Sequence, residues 1–391
     1  MATAEQEHFD AIRRYLRGES ASAICRALGR TRRWFYKWLK RYEPTNPAWA
    51  QNQPRAPHRV ATKTPLEVER LVCEVRQRLV TTKYAQKGAF AIQWQLQQLG
   101  VEPIPAIWTI NRILKRHGLL VKPRYEPRGT PYPVAELTGP HHLHQLDLVG
   151  PRYLQGGERF YGVHCIDAFS NAVALEAIPS KQAIFVVEAI VAAWQRLGLP
   201  QVLQLDNELS FRGSNRYPRS FGFLIRLCLY LGVEPRFIPE DEPWRNGIIE
   251  RFNDVYDKLF FRSQTFRDRA HVAAELPRFE AFHNTQHRYA KLAQRTPWTI
   301  HTAIRRRLLP RRFTQHRTGL PWRDGRVSFI RLSDEQGRVR FFSERFLVDP
   351  TLVHEYVTGT IYTKAELLKF THQGRVVKIY RYAITKHFKQ L

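Results

Sequence analysis

The sequence has 391 residues, of which 43% are hydrophobic and 12% aromatic, and its formal net charge is +27 at pH 7. A chain of this length and composition is long enough for two to four domains with apolar cores, which excludes a globally disordered protein. No apolar run reaches the roughly 20 residues of a membrane span. The N-terminus lacks a secretory segment, and four scattered cysteines contain no CxxC pair. We therefore expect a protein of the reducing cytoplasm.

The basic charge is concentrated at the two ends of the chain. Residues 1–135 carry 24 basic and 10 acidic side chains, residues 301–391 carry 19 and 7, and residues 136–300 carry 19 and 18. Two basic flanks around a nearly neutral centre favour a polyanionic partner that is held from both sides. A ribosomal or other RNA-binding protein would share this distribution.

Residues 1–43 are predicted to form a helix-turn-helix DNA-binding domain. Three helices are expected at 5–16, 21–28 and 32–42, with Ser20 and Thr31 as N-caps. A glycine turn followed by a basic helix is the arrangement that places a recognition helix in the major groove. The alternative is a three-helix bundle with a basic face. The predicted DNA contacts are Arg32, Arg33, Lys37 and Lys40.

A second helical segment lies between two proline-rich stretches. We predict linkers at 44–62 and 123–138, and between them a second, winged-type helix-turn-helix domain at 63–122. A helical spacer is the alternative for this segment. Its helices are expected at 64–80, 89–99 and 106–117, and its predicted DNA contacts are Arg112, Lys115 and Arg116.

The pattern changes to alternating strands and helices across residues 139–310. Three strands that read as an antiparallel meander are followed by helix, strand, helix, strand and helix, which is the order of the ribonuclease H-like fold. We therefore predict an α/β ribonuclease H-like catalytic core with a helical extension. The strands are expected at 144–150, 159–167, 172–177, 201–205 and 234–238, with helices at 181–197 and 221–231 and another that Asn246 caps.

Three carboxylates occur in order within this core, each at a strand or at a helix start. Asp147 lies in HQLDLVG, Asp206 in LQLDNELSF and Glu250 in NGIIERFN. With these motifs the region resembles the DDE-type insertion-sequence transposases that have a retroviral-integrase-like catalytic core. Residues 282–298, FHNTQHRYAKLAQRTPW, resemble the tail of that core, and the helix-turn-helix precedes it in the expected order.

The resemblance implies a DNA transposase of a prokaryotic cell, associated with the nucleoid. It would bind terminal inverted repeats, free 3′-OH groups at the element ends and join them to target DNA. By resemblance, Asp147, Asp206 and Glu250 are catalytic residues that hold two Mg²⁺ ions, with Mn²⁺ able to substitute. Arg245 and Arg251 join the predicted DNA contacts.

The partners implied are double-stranded DNA and further copies of the chain, as a homodimer or larger complex on DNA. Two alternatives remain open. One is a hydrolytic nuclease of the same fold without strand transfer, and the other is a non-enzymatic DNA-binding protein derived from a transposase.

Spacing leaves two candidates for the third carboxylate. The family usually has about 35 residues between the second aspartate and the glutamate, which Glu242 satisfies, whereas 43 residues separate Asp206 from Glu250. We choose Glu250 because it lies in the family's Asn-Gly-x-x-Glu-Arg context, while Glu242 precedes Pro243 in a turn. An enlarged loop at 211–222 accounts for the difference, since surface insertions are cheap.

Other acidic and histidine side chains are predicted to lie outside the chemistry. These are Asp167 and Glu208 as supporting carboxylates, Asp254 and Asp257 as a solvated helix face, and His141, His142 and His144 as linker histidines and not a metal cluster.

Residues 311–391 begin with a basic extended segment and continue as short strands. Strands expected near 327–332, 338–342, 355–362, 367–371 and 376–383 suggest a small all-β barrel that binds DNA. The alternative is a β-module for self-association. The predicted fold is thus multidomain: all-α helix-turn-helix modules, an α/β core and a C-terminal barrel.

Overall fold

A computed structural model describes residues 4–52, 64–120, 132–213, 219–313 and 320–385. The chain divides into two compact units, Met1–Thr64 and Pro65–Leu391. Most of the two predicted linkers and parts of the loop at 211–222 and of the basic segment after residue 310 lie outside the described residues. Within the described ranges, no helix combines the length and the apolar character of a membrane-spanning segment.

The first unit is a three-helix arrangement with the predicted caps. The Oγ of Ser20 accepts from the amide of Ala23 at 3.3 Å, and the Oγ1 of Thr31 accepts from the amide of Trp34 at 3.2 Å. Phe35 and Trp38 are buried in its core, so the basic side of the third helix faces solvent. The helices are α1 (Ala4–Leu16), α2 (Ala21–Ala27) and α3 (Arg32–Arg41).

The second unit begins with three helices that have their own apolar core. Tyr84, in the connection after the first of them, packs its ring against Phe279 at 5.2 Å and Phe282 at 5.9 Å, and its carbonyl accepts from the ring of His287. Within 64–120 the structure describes no strand, so a wing is not seen there. The helices are α4 (Leu66–Thr81), α5 (Ala89–Gln98) and α6 (Ile107–Arg116).

A nine-stranded sheet, in the order β11-β10-β9-β6-β5-β4-β1-β2-β3, is the framework of the rest of the unit. Strands β1, β2 and β3 form the predicted antiparallel meander, and β1, β4, β5 and β6 pair in parallel. The first five strands are β1 (Leu143–Tyr153), β2 (Arg159–Asp167), β3 (Val173–Ile178), β4 (Val202–Leu205) and β5 (Glu234–Phe237).

Helices cover both faces of the meander because its strands are apolar on both sides. On one face, Val163 and Cys165 of β2 pack in a core with Trp194. On the other face, Phe160 and Ile166 pack in a core that includes Phe252 and Phe279. The helices are α7 (Ala183–Leu197), α8 (Leu209–Arg212), α9 (Phe223–Tyr230), α10 (Gly247–Tyr256), α11 (Arg269–Gln286) and α12 (Pro297–His301).

The C-terminal strands correct the prediction of a separate small barrel. Strand β6 pairs in parallel with β5 at Arg236↔Ser328 and Phe237↔Phe329, so β6, β9, β10 and β11 extend the core sheet. In the described residues the pairing shows a continuous sheet and a separate β7-β8 hairpin, and not barrel closure. These strands are β6 (Arg326–Leu332), β7 (Arg338–Phe341), β8 (Glu344–Leu347), β9 (Tyr356–Tyr362), β10 (Leu367–His372) and β11 (Arg375–Arg381).

Candidate active site

The sheet places Asp147 and Asp206 side by side. Strands β1 and β4 are parallel neighbours in which Gln145 pairs with Gln204, and each aspartate lies two residues further along its strand direction. Side chains two residues apart in a strand point to the same face, and neighbouring strands are about 4.8 Å apart. Leu146 and Leu205 belong to the core on the opposite face. Both carboxylates are therefore on the face that α10 covers.

Three amide side chains attach the start of α10 to these two strands. The amide of Ile249 donates to Gln145 Oε1 at 2.9 Å, and Asn246 Nδ2 donates to the carbonyl of Leu146 at 3.0 Å. Gln204 Nε2 donates to Asn246 Oδ1 at 3.2 Å. The expected capping by Asn246 is wrong, because its side chain makes these sheet contacts and Gln145 satisfies a free N–H of the first turn instead. This network fixes where the helix begins.

Loss of the Gln145 contact should loosen the helix. We expect Gln145→Ala to lower the free energy of unfolding by about 1–3 kcal/mol, because a buried amide of Ile249 loses its acceptor. Urea denaturation measures the change. Gln155→Ala, at an exposed position on the same hairpin, should stay within about 0.5 kcal/mol of the wild type. Equal stabilities for Gln145→Ala and the wild type would contradict the role given to this contact.

Glu250, in the first turn of α10, faces Asp147. Burial raises the pKa of Glu250, and the negative charge of Asp147 raises it further. Burial likewise raises the pKa of Asp206 to about 6, despite the amide of Glu208 that donates to its Oδ1, and Asp147 again adds to the increase. The structure thus places Asp147 close enough to both Asp206 and Glu250 for its negative charge to raise the pKa of each.

Glu242 lines the same groove as Asp206, but its carboxylate is engaged by other partners. Its carboxylate accepts from the hydroxyl of Tyr356 at 2.7 and 2.8 Å and pairs with Arg245 Nε at 2.8 Å. The guanidinium of Arg245 in turn lies over the rings of Tyr132 and Tyr356, at 4.1 and 5.0 Å. Among the described residues, Glu250 has no comparable ion pair. The geometry therefore favours Glu250 over the candidate that spacing alone selects.

A hydrogen-bonded chain behind Asp147 was not predicted from the sequence. Asn253, one turn after Glu250, donates from Nδ2 to Asp147 Oδ2 and accepts at Oδ1 from His164 Nδ1 at 2.8 Å. Burial lowers the pKa of His164, so its ring is neutral near pH 7. The Asn253 position, i+3 from Glu250, was the available signal, since such residues share a helix face.

Arg331 of β6 supports the segment after Asp206 and was also missed. Its Nη2 donates to Asn207 Oδ1 at 2.7 Å and its Nη1 to the carbonyl of Ile238 at 3.0 Å. Asn207 Nδ2 donates to the same carbonyl at 2.7 Å. Burial lowers the pKa of Arg331 to about 10. No sequence signal links Arg331 to a residue more than 120 positions earlier.

Comparison with protein families fits this arrangement. A family model described as Homeodomain-like domain matches residues 3–48, and one described as Integrase core domain matches residues 231–297. This chain combines a homeodomain-like helix-turn-helix with an integrase core. The resemblance drawn from the sequence motifs is thereby confirmed.

Solved structures similar to the integrase core region come from retroviruses. They are the HTLV-2 integrase catalytic core domain in complex with magnesium (18% identity, TM-score 0.33, 42% of this chain and 98% of that chain) and the catalytic core domain of BIV integrase (21%, 0.31, 41% and 93%). A simian T-cell lymphotropic virus intasome in complex with PP2A regulatory subunit B56 gamma gives 15% identity and a TM-score of 0.39, over 75% of this chain and 96% of that chain. Because these identities and TM-scores are low, they support no statement about the function of this chain.

The predicted DNA-contacting side chains are all basic, but they differ in whether another side chain already binds them. Those of α3 are exposed, as are Arg112 and Lys115 of α6 and Arg251 of the integrase core. Arg116 is exposed but pairs with the buried carboxylate of Glu69 at 2.6 Å. Arg245 is occupied by the Glu242 contacts described above. The exposed α3 side chains are Arg32, Arg33, Lys37 and Lys40.

One of the acidic side chains near the integrase core site, Asp257, differs from the role expected for it. Asp257 is half-buried and binds Arg152 Nη2 at 2.6 Å, so it is not a solvated residue. Asp254 is exposed and pairs with Lys258, as a solvated residue would. Glu208 pairs with Lys181 at 2.8 Å.

The linker interpretation of the histidines is wrong for two of the three. His141 and His144 are buried next to the fully buried Asp167, because the strand β1 begins at Leu143 and draws the preceding turn into the integrase core. His142 is half-exposed. His301 of α12 is also fully buried beside Asp167.

Proposed function

We propose that this protein is a DNA transposase that cleaves DNA at the ends of a mobile element and joins the freed 3′-OH groups to target DNA. The observation that carries the proposal is the meeting of Asp147, Asp206 and Glu250 on one face of an integrase core. Integrase-core proteins are generally polynucleotidyl transferases. A non-catalytic DNA-binding protein would have no need for three partly buried carboxylates that repel one another.

The donor set suits hard divalent cations. Carboxylate oxygens are the protein ligands that Mg²⁺ prefers. The pKa values of Asp206 and Glu250 are raised mainly by burial and further by the negative charge of Asp147, and a bound cation would stabilise the ionised form of both. Asp147, Asp206 and Glu250 would hold two Mg²⁺ ions, with Mn²⁺ able to substitute. When bound, such ions activate the attacking hydroxyl and neutralise charge on the phosphodiester and the leaving oxygen.

The surrounding side chains hold the carboxylates in place. Asn253 donates to Oδ2 of Asp147 and the amide of Leu148 donates to Oδ1 at 2.8 Å, so both contacts fix the orientation of this carboxylate. The amide of Glu208 and the Arg331–Asn207 contact fix the turn that carries Asp206. The Gln145 and Asn246 contacts set the start of the helix that carries Glu250. Such positioning suits in-line phosphoryl transfer, for which catalysis is mainly orientation and charge neutralisation.

Both basic flanks would grip the double-stranded DNA. The exposed cations of α3 would read the terminal inverted repeats, and Arg112 and Lys115 of α6 would add contacts. Because two element ends must be joined together, we propose a homodimer or larger complex assembled on DNA.

A strand-transfer assay tests this function. Purified protein and Mg²⁺ are mixed with labelled DNA that carries the two ends of the genomic segment encoding the chain, and with a plasmid target. Labelled ends joined to plasmid are the expected product. Nicked ends without joining would favour the hydrolytic nuclease, and binding without cleavage would favour the DNA-binding protein.

Removing a cation from α3 should weaken DNA binding in a salt-dependent way. If Lys37 contacts a phosphate, Lys37→Ala should lower affinity uniformly across DNA sequences and reduce the slope of log K against log salt by about 1. Fluorescence anisotropy across a salt series measures both quantities. Lys258→Ala, which removes an exposed lysine paired with Asp254, is the matched control. An unchanged slope for Lys37→Ala would exclude a phosphate contact.

A further inference from the structure

A second group of possible metal ligands lies at the start of β1, three residues before Asp147. His141 precedes this strand, His144 lies on it and Asp167 ends β2. All three are buried, and one ligand atom of each lies within 4.8 Å of the others. His141 Nδ1 is 3.9 Å and His144 Nε2 is 3.7 Å from Asp167 Oδ2. Both ring nitrogens lack a hydrogen-bond partner among the described residues.

The hydrogen bonds of His141 determine which of its nitrogens is free. Its Nε2 lies 3.0 Å from the carbonyl of His301, so Nε2 carries the proton and Nδ1 presents a lone pair. The lone pair of Nδ1 therefore faces a carboxylate oxygen of Asp167. Two facing acceptors repel each other unless a cation lies between them.

A network of hydrogen bonds alone does not satisfy the cluster. The thiol of Cys165 lies 3.7 Å from His144 Nδ1 and can donate to it. In that tautomer, Nε2 carries the ring proton and directs it toward Asp167. The distance of 3.7 Å between His144 Nε2 and Asp167 Oδ2 is too long for a hydrogen bond. This contact would also leave His141 Nδ1 without any partner. A buried polar atom without a partner costs about 1–3 kcal/mol. A cation that binds both ring nitrogens is therefore the simpler explanation for their lack of hydrogen-bond partners.

We propose that His141, His144 and Asp167 form a binding site for Zn²⁺, distinct from the three carboxylates of the proposed active site. Imidazole nitrogens with a carboxylate oxygen suit zinc, whereas Mg²⁺ prefers oxygen ligands alone. Tetrahedral ligands at about 2.0–2.1 Å from zinc are about 3.3–3.4 Å apart, so the two histidine–carboxylate separations would shorten by about 0.3–0.6 Å. The two ring nitrogens, which lie within 4.8 Å of each other, would approach to the same separation.

The surroundings resemble those of ligating histidines. Such a histidine usually donates its other N–H to a backbone carbonyl or carboxylate, as His141 does to His301. His301 lines the same site, with Nε2 2.8 Å from the carbonyl of Leu197 and Nδ1 3.2 Å from Asp167 Oδ2. A fourth ligand position is available to His301 or to water.

The site would act as a structural clamp. It joins the start of β1, the end of β2 and α12, which are otherwise held here by the amide of His141, which donates to Asp167 Oδ2 at 2.7 Å, and by His301 Nδ1, which lies 3.2 Å from the same oxygen. Asp147 lies only three residues beyond His144 on the same strand. A bound ion would therefore hold the strand that carries Asp147 without entering the reaction.

Metal titration of the full-length protein tests the site. Protein stripped with a chelator is titrated with Zn²⁺, and with Co²⁺ as a spectroscopic probe, in excess Mg²⁺. We expect one tight site per chain and the intense visible absorption of four-coordinate Co²⁺. His141→Gln should weaken binding by at least about tenfold. His142→Gln, which changes the neighbouring imidazole outside the cluster, should bind as the wild type does.

A variant of the candidate active site separates the two metal sites. The double variant Asp147→Asn, Glu250→Gln should retain the Co²⁺ spectrum, because neither side chain is a ligand of the proposed zinc site. If His141→Gln fails to fold, the spectrum of this double variant decides the question. No stoichiometric binding by the wild type, equal binding by His141→Gln, or loss of the spectrum in the double variant would overturn the proposal.

Discussion

Glu250→Gln should abolish DNA cleavage and joining while leaving DNA binding intact. The amide keeps the shape of the side chain but removes the negative charge that would hold a metal ion. Loss of several kcal/mol of charge stabilisation, at about 1.4 kcal/mol for each factor of ten, lowers the rate on the order of 10³-fold or more. The strand-transfer assay measures the rate, and a gel-shift assay with the same DNA measures binding.

Glu242→Gln is the matched control for this result. It changes the glutamate that satisfies the family's usual spacing and that binds Tyr356 and Arg245. It should retain cleavage, with at most a loss of stability from the weakened ion pair. If Glu242→Gln abolishes cleavage and Glu250→Gln does not, the assignment of the third carboxylate is wrong.

Asp206→Asn should make the metal-free protein more stable while it removes activity. The pKa of Asp206 is raised from about 3.8 to about 6 in the folded protein. The folded state thus holds its proton more tightly than the unfolded state, and this contribution to stability is present below about pH 4 and lost as the pH rises through 6. A difference of about two pKa units corresponds to about 3 kcal/mol. Because asparagine does not ionise, the variant does not lose this stability as the pH rises.

Denaturation in a chelator measures the effect at pH 5 and at pH 8. The advantage of Asp206→Asn should be largest at pH 8 and should shrink at pH 5. Added Mg²⁺ should stabilise the wild type, because it binds only the folded state, and should stabilise the variant much less. Asp254→Asn, at an exposed position, should change stability by less than about 0.5 kcal/mol. An Asp206→Asn variant that is less stable than the wild type at pH 8 would contradict the raised pKa.

Local patterns predicted most of the elements. The helix caps at Ser20 and Thr31 lie where side-chain chemistry requires them, and the predicted order of strands matches the meander β1–β3. The order of the sequence motifs identified Asp147 and Asp206 as candidates. The structure places these two residues at neighbouring positions along the adjacent strands β1 and β4. Distance along the chain selects Glu242 as the third carboxylate, whereas we propose Glu250, because an enlarged surface loop before α10 is cheap and would change the count.

Contacts between residues far apart in the chain escaped prediction. Asn253 and His164 act together across 89 positions, and Arg331 reaches Asn207 across 124. The sequence around each of these residues contains no local pattern that indicates its partner. The C-terminal strands likewise read as an independent module, because the strand pattern of β6 is the same whether it joins a barrel or pairs with β5.

The pairing of β5 with β6 has a consequence for the newly made protein. During synthesis, β4 and β5 emerge long before β6, which pairs with Arg236 and Phe237 from about 90 residues downstream. Until then β5 is an open edge that other chains can join, a known route to aggregation. Arg331 and Tyr356 arrive at the same late stage. The nascent chain therefore lacks the supports of its proposed catalytic loops until its last strands leave the ribosome, which delays any nuclease activity until folding is nearly complete.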